Sequence, residues 1–248
     1  AATHNHGART AEVLTFSRLA DRVFSEVGGL AQQMLTPAGQ LLTLQEAARR
    51  VQGGLSAWKG LADKPELLQE ALRLIDECKT CAVAPETLFA AAEESEDAVL
   101  AEKLSDLAQI LTAYERLCEE SLPDPRDRLT HLRDRLAESH TLDGAAVYLD
   151  GFLGFTVQES AVVDAMLAAG VPLSAAVTCD TDYPEIFLTG CKTVQKLTRM
   201  AKHHNQTVER IELGESKVAR PEGLAALERE SLLPVRTPQE SADGVRLY

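Results

Sequence analysis

The side chain in this sequence best placed to do chemistry is a carboxylate that follows an apolar run. Ala145-Ala-Val-Tyr-Leu149 leads directly into Asp150 and Gly151. In nucleotide-binding sheets, a carboxylate at the carboxyl end of a central strand holds Mg²⁺ at the phosphates. Asp150 is therefore a candidate metal and nucleotide position. Asp-Gly also forms turns after strands, and at this point both readings stand. Efficient hydrolysis would need a glutamate beside Asp150 to polarise water, and the neighbour is Gly151. No general base is supplied there.

The other candidate groups are weaker. A Gly-x-x-x-x-Gly-Lys-Ser/Thr loop, whose backbone amides would cradle phosphate, is absent from all 248 residues; Gly190-Cys-Lys-Thr193 lacks both the spacing and the upstream glycine. Cys78-Lys-Thr-Cys81 has the spacing of a redox or zinc half-site, but Cys118, Cys179 and Cys191 are isolated and supply no second pair. His4, His6, His203 and His204 have no carboxylate or cysteine partners nearby in sequence, so no metal site is expected. Nor is there a Gly-x-Ser-x-Gly elbow to expose a nucleophile.

The elements that must position Asp150 follow from periodicity. Glu12-Val-Leu-Thr-Phe16 is a short β-type run, and Leu19, Val23 and Val27 continue at helical spacing until Gly28-Gly29. Leu44, Ala47, Val51, Leu55 and Trp58 keep a helical interval that Gly53-Gly54 weakens, and Pro65 suits the first turn of a helix carrying Leu68, Ala71, Leu72 and Ile75. Leu100, Leu104, Leu107, Leu111, Tyr114 and Cys118 place one apolar stripe on a long helix. Leu129, Leu132 and Leu136 follow the Pro123-Asp-Pro125 break, so residues 30–143 are expected to form an all-helical subdomain.

At Gly144 the texture changes. Residues 145–149 and 173–178 are expected to be strands buried on both faces, with a Thr156-capped helix between them. A helix over 194–201, a strand over 208–213, a helix over 224–230 and a last apolar segment Val245–Tyr248 continue the rhythm. Such alternation predicts a parallel sheet with helices on its faces. The expected architecture is an α/β domain from residues 1–29 and 144–248, with the helical block of 30–143 inserted into it.

Composition bounds the rest. The chain carries 25 Lys plus Arg against 38 Asp plus Glu, a formal charge of -13, with 45% hydrophobic residues and five cysteines. It is long enough to bury a core, and its cysteine usage favours a reducing, cytoplasmic setting. The apolar segment Ala165–Cys179 is too short and too interrupted by Gly170 and Pro172 to span a bilayer. The acidity sits in residues 61–143, which hold nine basic and twenty acidic side chains. That argues against a chain that coats nucleic acid unaided. The run Glu93, Glu94, Glu96, Asp97 reads as a solvated loop or helix end.

Two segments carry a resemblance. Val13-Leu-Thr-Phe-Ser-Arg18, running on to Gly29, resembles the strand-helix segment of the UvrD-like helicase superfamily in the form used by the AddB/RexB subunits of bacterial helicase-nucleases. Val147-Tyr-Leu-Asp-Gly-Phe-Leu-Gly-Phe-Thr-Val-Gln-Glu159 resembles that family's Asp-Gly-Phe-x-Gly-Phe-Thr-x-Gln-Glu signature, a degenerate counterpart of the helicase Asp-Glu motif. The resemblance covers most of residues 11–231.

It implies an incomplete RecA-like, P-loop NTPase-like domain with a helical insertion. Asp150, Gln158 and Glu159 would be remnants of a nucleotide and Mg²⁺ position, and Thr15, Phe16 and Arg18 would lie near DNA. The partner would be an AddA-type helicase-nuclease subunit, and the substrate double-stranded DNA ends, with no membrane involved. The family's phosphate loop would fall before Ala1, and its nuclease domain with an iron-sulfur cluster after Tyr248. ATP, Mg²⁺ and the cluster would thus belong to the parent protein, and this stretch would have neither nuclease nor ATPase activity. The competing expectation is a non-catalytic interaction module whose acidic helical block binds a protein.

Overall fold

The structure is a computed structural model that describes residues 11–29, 33–180, 185–213 and 221–230. By internal contacts the chain falls into two compact units, dividing between Ala176 and Val177. The His4/His6 pair and the segment Val245–Tyr248 lie outside the described residues.

Helix starts in the first unit follow local chemistry. Helix α1 (Phe16–Val27) begins where Thr15 Oγ1 accepts the Arg18 amide at 3.3 Å. Gly28, at φ +89°, ends it in a conformation that costs a side chain energy. The expected strand over 12–16 is therefore not formed: Val13 and Leu14 are irregular lead-in and Phe16 is the first helical residue. Helices α2 (Pro37–Val51), α3 (Pro65–Thr80) and α4 (Pro85–Glu94) each carry proline in the first turn, where no amide is missed. Helix α2 stops at Val51 and a 3-10 turn takes over at Gln52–Gly54, so its helical interval does not run on to Trp58. Asp97 starts α5 (Ala98–Glu120) by accepting the Val99 and Leu100 amides, which places the acidic run at a helix end and cap. Helix α6 is Arg128–Arg135 and helix α7 is Val157–Ala168.

These helices build two cores. In the first, the α5 stripe from Leu107 through Leu111 to Tyr114 and Cys118 meets Leu44 and Ala47 of α2, Ala71 and Ile75 of α3 and Leu88 of α4. Leu100, at the start of the stripe, stays 47% exposed. The second core joins Leu19, Val23 and Phe24 of α1 to Leu132 of α6 and to Val162 and Met166 of α7. Helix α6 thus packs with α1 and α7 rather than with the α2–α5 core.

A buried polar network closes the first core. Asp124, fully buried, accepts from Gln40 Nε2 at 2.8 Å, Tyr114 Oη at 2.9 Å and the Arg126 amide at 3.0 Å. Lys79, 8% exposed, puts its Nζ 2.6 and 2.7 Å from the Asp127 carboxylate oxygens. Asp106, 2% exposed, accepts the Ser56 and Trp58 amides and pins that turn against α5. Burial and the Asp124 carboxylate drive the Tyr114 hydroxyl far above its ordinary range, so it stays a donor.

The α/β part is a crossover unit. Strand β1 (Val147–Leu149), helix α7 and strand β2 (Leu173–Ala175) follow in order, and the strands pair in parallel, Val147 with Leu173 through Leu149 with Ala175. Neither strand is buried on both faces, contrary to the reading from hydropathy: Tyr148 is 77% exposed while Val147 packs on the second core. The sheet has two strands among the described residues, so one face lacks a covering layer. In the second unit, helices α8 (Leu188–His203) and α9 (Glu222–Glu230) stand where the sequence predicts helices, but residues 208–213 are irregular, with Ile211 and Leu213 exposed. No helix among the described residues is long and apolar enough to cross a membrane.

A clasp ties α1 to the chain that follows α6. Glu26 accepts from Ser139 Oγ at 2.5 Å, Thr141 Oγ1 at 2.9 Å and the His140 amide at 2.9 Å. Arg135 donates to the carbonyls of Val27 and Gly28, the open end of α1. The Ser139 hydroxyl, then the His140 amide, hold the Glu26 carboxyl at about 2 against an ordinary 4.5. Because the folded value is depressed, the clasp contributes fully above pH 4.5 and is lost as pH falls toward 2. An NMR titration of the Glu26 side chain should give a midpoint near 2. A midpoint at the ordinary value would show that the clasp is not made in solution.

Candidate nucleic-acid interface

The two segments that carry the resemblance meet through three phenylalanines. Phe16 stands in the first turn of α1, and Phe152 and Phe155 lie on the loop between β1 and α7. Phe152 and Phe155 stack with centroids 5.0 Å apart and planes at 25°. Phe16 meets them edge-on, at 5.7 Å and 69° to Phe152 and at 6.3 Å and 89° to Phe155. Both geometries are favourable for aromatic pairs. All three rings are half-buried, and Val13, Leu153 and Val157 beside them in sequence are exposed. The result is an aromatic platform at the surface.

Local chemistry explains why the rings converge. Gly151, at φ +77°, turns the chain sharply as it leaves β1. A glutamate here, as hydrolysis would require, would have to hold a left-handed backbone at a cost of about 1 kcal/mol or more. The loop ends in a reciprocal cap: Glu159 N donates to Thr156 Oγ1 at 3.1 Å, and Thr156 N donates to Glu159 Oε2 at 2.8 Å. Thr156→Ala should lower stability by about 0.5–2 kcal/mol in chemical denaturation. No change would mean that the loop is held without the cap.

The predicted site residues separate on this geometry. Asp150 follows the last residue of β1, is exposed, and makes no hydrogen bond or ion pair among the described residues. Gln158 donates to the Arg126 carbonyl at 2.9 Å and so ties α7 to the chain entering α6. Glu159 is occupied by the cap. These three are not gathered round one point by any contact. Thr15 caps α1, Phe16 joins the platform, and Arg18 is exposed with no ion pair among the described residues. Phe152 and Phe155 belong to the Asp-Gly-Phe motif, yet sequence reasoning does not mark them as site residues. No local signal shows that Phe16 stacks against them, since the pairing depends on how α1 docks.

Other chemistry is sparse. No group of three or more His, Cys, Asp or Glu among the described residues can hold a metal. Gly190–Thr193 lies inside α8, which rules it out as a phosphate loop. A cleft of 440 Å³ is lined by Phe24, Met34, Lys79, Glu115, Asp127 and His131 among others, and neither Asp150 nor the platform borders it.

The model of the family described as ADDB, N-terminal, matches residues 1–228. The chain belongs to that family. It is 35% identical over 236 residues to the B subunit of an ATP-dependent helicase/deoxyribonuclease from Desulforudis audaxviator (strain MP104C), covering 90% of this chain and 20% of the relative. It is 32% identical over 209 residues to a protein of the same name from Acetivibrio thermocellus, covering 82% and 18%. The counterpart from Thermoanaerobacter sp. (strain X514) is 30% identical over 228 residues, covering 88% and 20%. The chain thus spans about a fifth of the length of the curated relatives it matches.

Proposed function

We propose that this chain is the amino-terminal, helicase-like region of an AddB-type subunit, and that it handles single-stranded DNA at broken duplex ends without doing chemistry itself. The aromatic platform of Phe16, Phe152 and Phe155 carries this reading. Bases stack on such rings whatever their sequence, and the exposed Arg18 supplies a cation for the backbone. With so acidic a chain, contact is confined to a small area rather than spread over the surface. The names of the relatives support a DNA-repair role, a cytoplasmic setting and an AddA-type helicase-nuclease partner.

In this reading the parallel β1–α7–β2 unit is part of a RecA-like domain, residues 30–143 are its helical insertion, and Asp150 is a vestige of a metal position. Gly151 beside it offers no base, so ATP-driven movement falls to the partner. The test is fluorescence anisotropy of the 248-residue chain with single-stranded and blunt duplex oligonucleotides at low and moderate salt. Salt-sensitive binding that prefers the single strand is expected. Absence of binding at both salts would reject the reading and favour a protein partner on the acidic helices.

A further inference from the structure

Cys179 and Cys191 lie with their sulfurs 2.9 Å apart in the second unit. A disulfide has an S–S distance of about 2.05 Å, so closing one here needs movement of less than about 1 Å. The approach is set by backbone. A Cβ on Gly190 would run into the Thr178 carbonyl oxygen, so only glycine lets the first turn of α8 rest on the residue before Cys179. Cys191 is fixed in that turn by its amide, which donates to the Phe187 carbonyl at 2.9 Å. Its sulfur also lies 3.5 Å from the Asp180 carbonyl oxygen. Both thiols are half-buried, within reach of a small reagent.

Cys78 and Cys81, despite their redox-like spacing, make no hydrogen bond with one another, and Cys118 is buried. The cysteines that meet are two that sequence spacing leaves isolated.

We propose that Cys179 and Cys191 are a modification site: they form a reversible intramolecular disulfide that fastens the start of α8 to the segment after β2. The oxidant is a small-molecule disulfide. One protein thiolate attacks it, forming a mixed disulfide and releasing one small thiol; the second protein thiolate then displaces the other small thiol. The two protein protons leave with the two released thiols, and the two electrons pass to the small disulfide. The neighbouring Cys191 thiol holds Cys179 above its ordinary value, so closure should accelerate as pH rises through the neutral range. This site is independent of the DNA-binding reading.

The test equilibrates the 248-residue chain in buffers of stepped oxidised-to-reduced glutathione ratio, blocks free thiols by alkylation, and maps peptides after cleavage at glutamate. Free thiols should fall from five to three, with residues 179 and 191 linked. The link should appear at ratios at least about tenfold more reducing than any that modify Cys78 or Cys81. Reduced glutathione should reverse it. Cys191→Ser should abolish the link, and Gly190→Ala, which keeps both thiols, should weaken it. Alkylation of both cysteines at every ratio would overturn the proposal, and so would linkage no more favourable than that of Cys78 and Cys81.

Discussion

Asp124→Ala is expected to lower the stability of the first unit by about 3–5 kcal/mol, enough to unfold a marginal domain. The carboxylate is fully buried between α2, α5 and the turn entering α6, and three donors end on it. Alanine would strand the Gln40 amide and the Tyr114 hydroxyl without acceptors. It would also leave the Lys79 ammonium, 4.0 Å away, with less compensation in a buried place. Each orphaned group costs more than the bond it loses contributed. Asp124→Asn keeps the shape and one acceptor and should cost less than alanine. The single tryptophan, Trp58, sits on the turn pinned by Asp106 and reports on this core. Urea titration by its fluorescence should show the transition shifted well to lower denaturant; a loss under about 1 kcal/mol would mean that water replaces the donors' partner.

Phe155→Ala and Phe152→Ala are each expected to weaken single-stranded DNA binding by about 5- to 100-fold, with little change in stability. That range follows from roughly 1–3 kcal/mol per stacked base. The rings are half-buried, so truncation leaves no deep cavity, and neither belongs to the two main cores. Phe16→Ala should have a similar effect on binding but also loosen α1, because that ring packs on the second core. Phe155→Leu separates the two causes: it preserves apolar contact but removes the aromatic face. Binding restored by leucine would mean that the platform acts through burial alone and that stacking is not the mechanism.

Much of this fold is legible in the sequence, and the exceptions share a cause. The steps of four and three from Leu104 to Cys118 specify a stripe that one partner surface can cover, and the structure covers it. Thr156 followed by Glu159 predicts its cap because both partners are local. The segments read as strands over 12–16 and 208–213 have β-type composition, but a strand also needs a neighbour, and composition does not supply one. Thr15 instead acts through its hydroxyl as a helix cap. Tyr148 is exposed because an apolar run says nothing about how many layers cover a sheet. The candidate site is half visible in the residues: Phe16 and the Asp150 segment can be named, but the platform is a tertiary contact between distant parts of the chain.

The clasp between Glu26 and residues 139–141 has a consequence for biogenesis. The core α1 belongs to is completed only by α6 and α7, while the α2–α5 core draws on nearby stretches. At roughly 5–20 residues per second of synthesis, α1 must wait on the order of ten seconds on the ribosome for its partners. Throughout that interval the apolar side chains of Leu19, Val23 and Phe24 have no lasting shelter, which makes this nascent helix a natural client for chaperones.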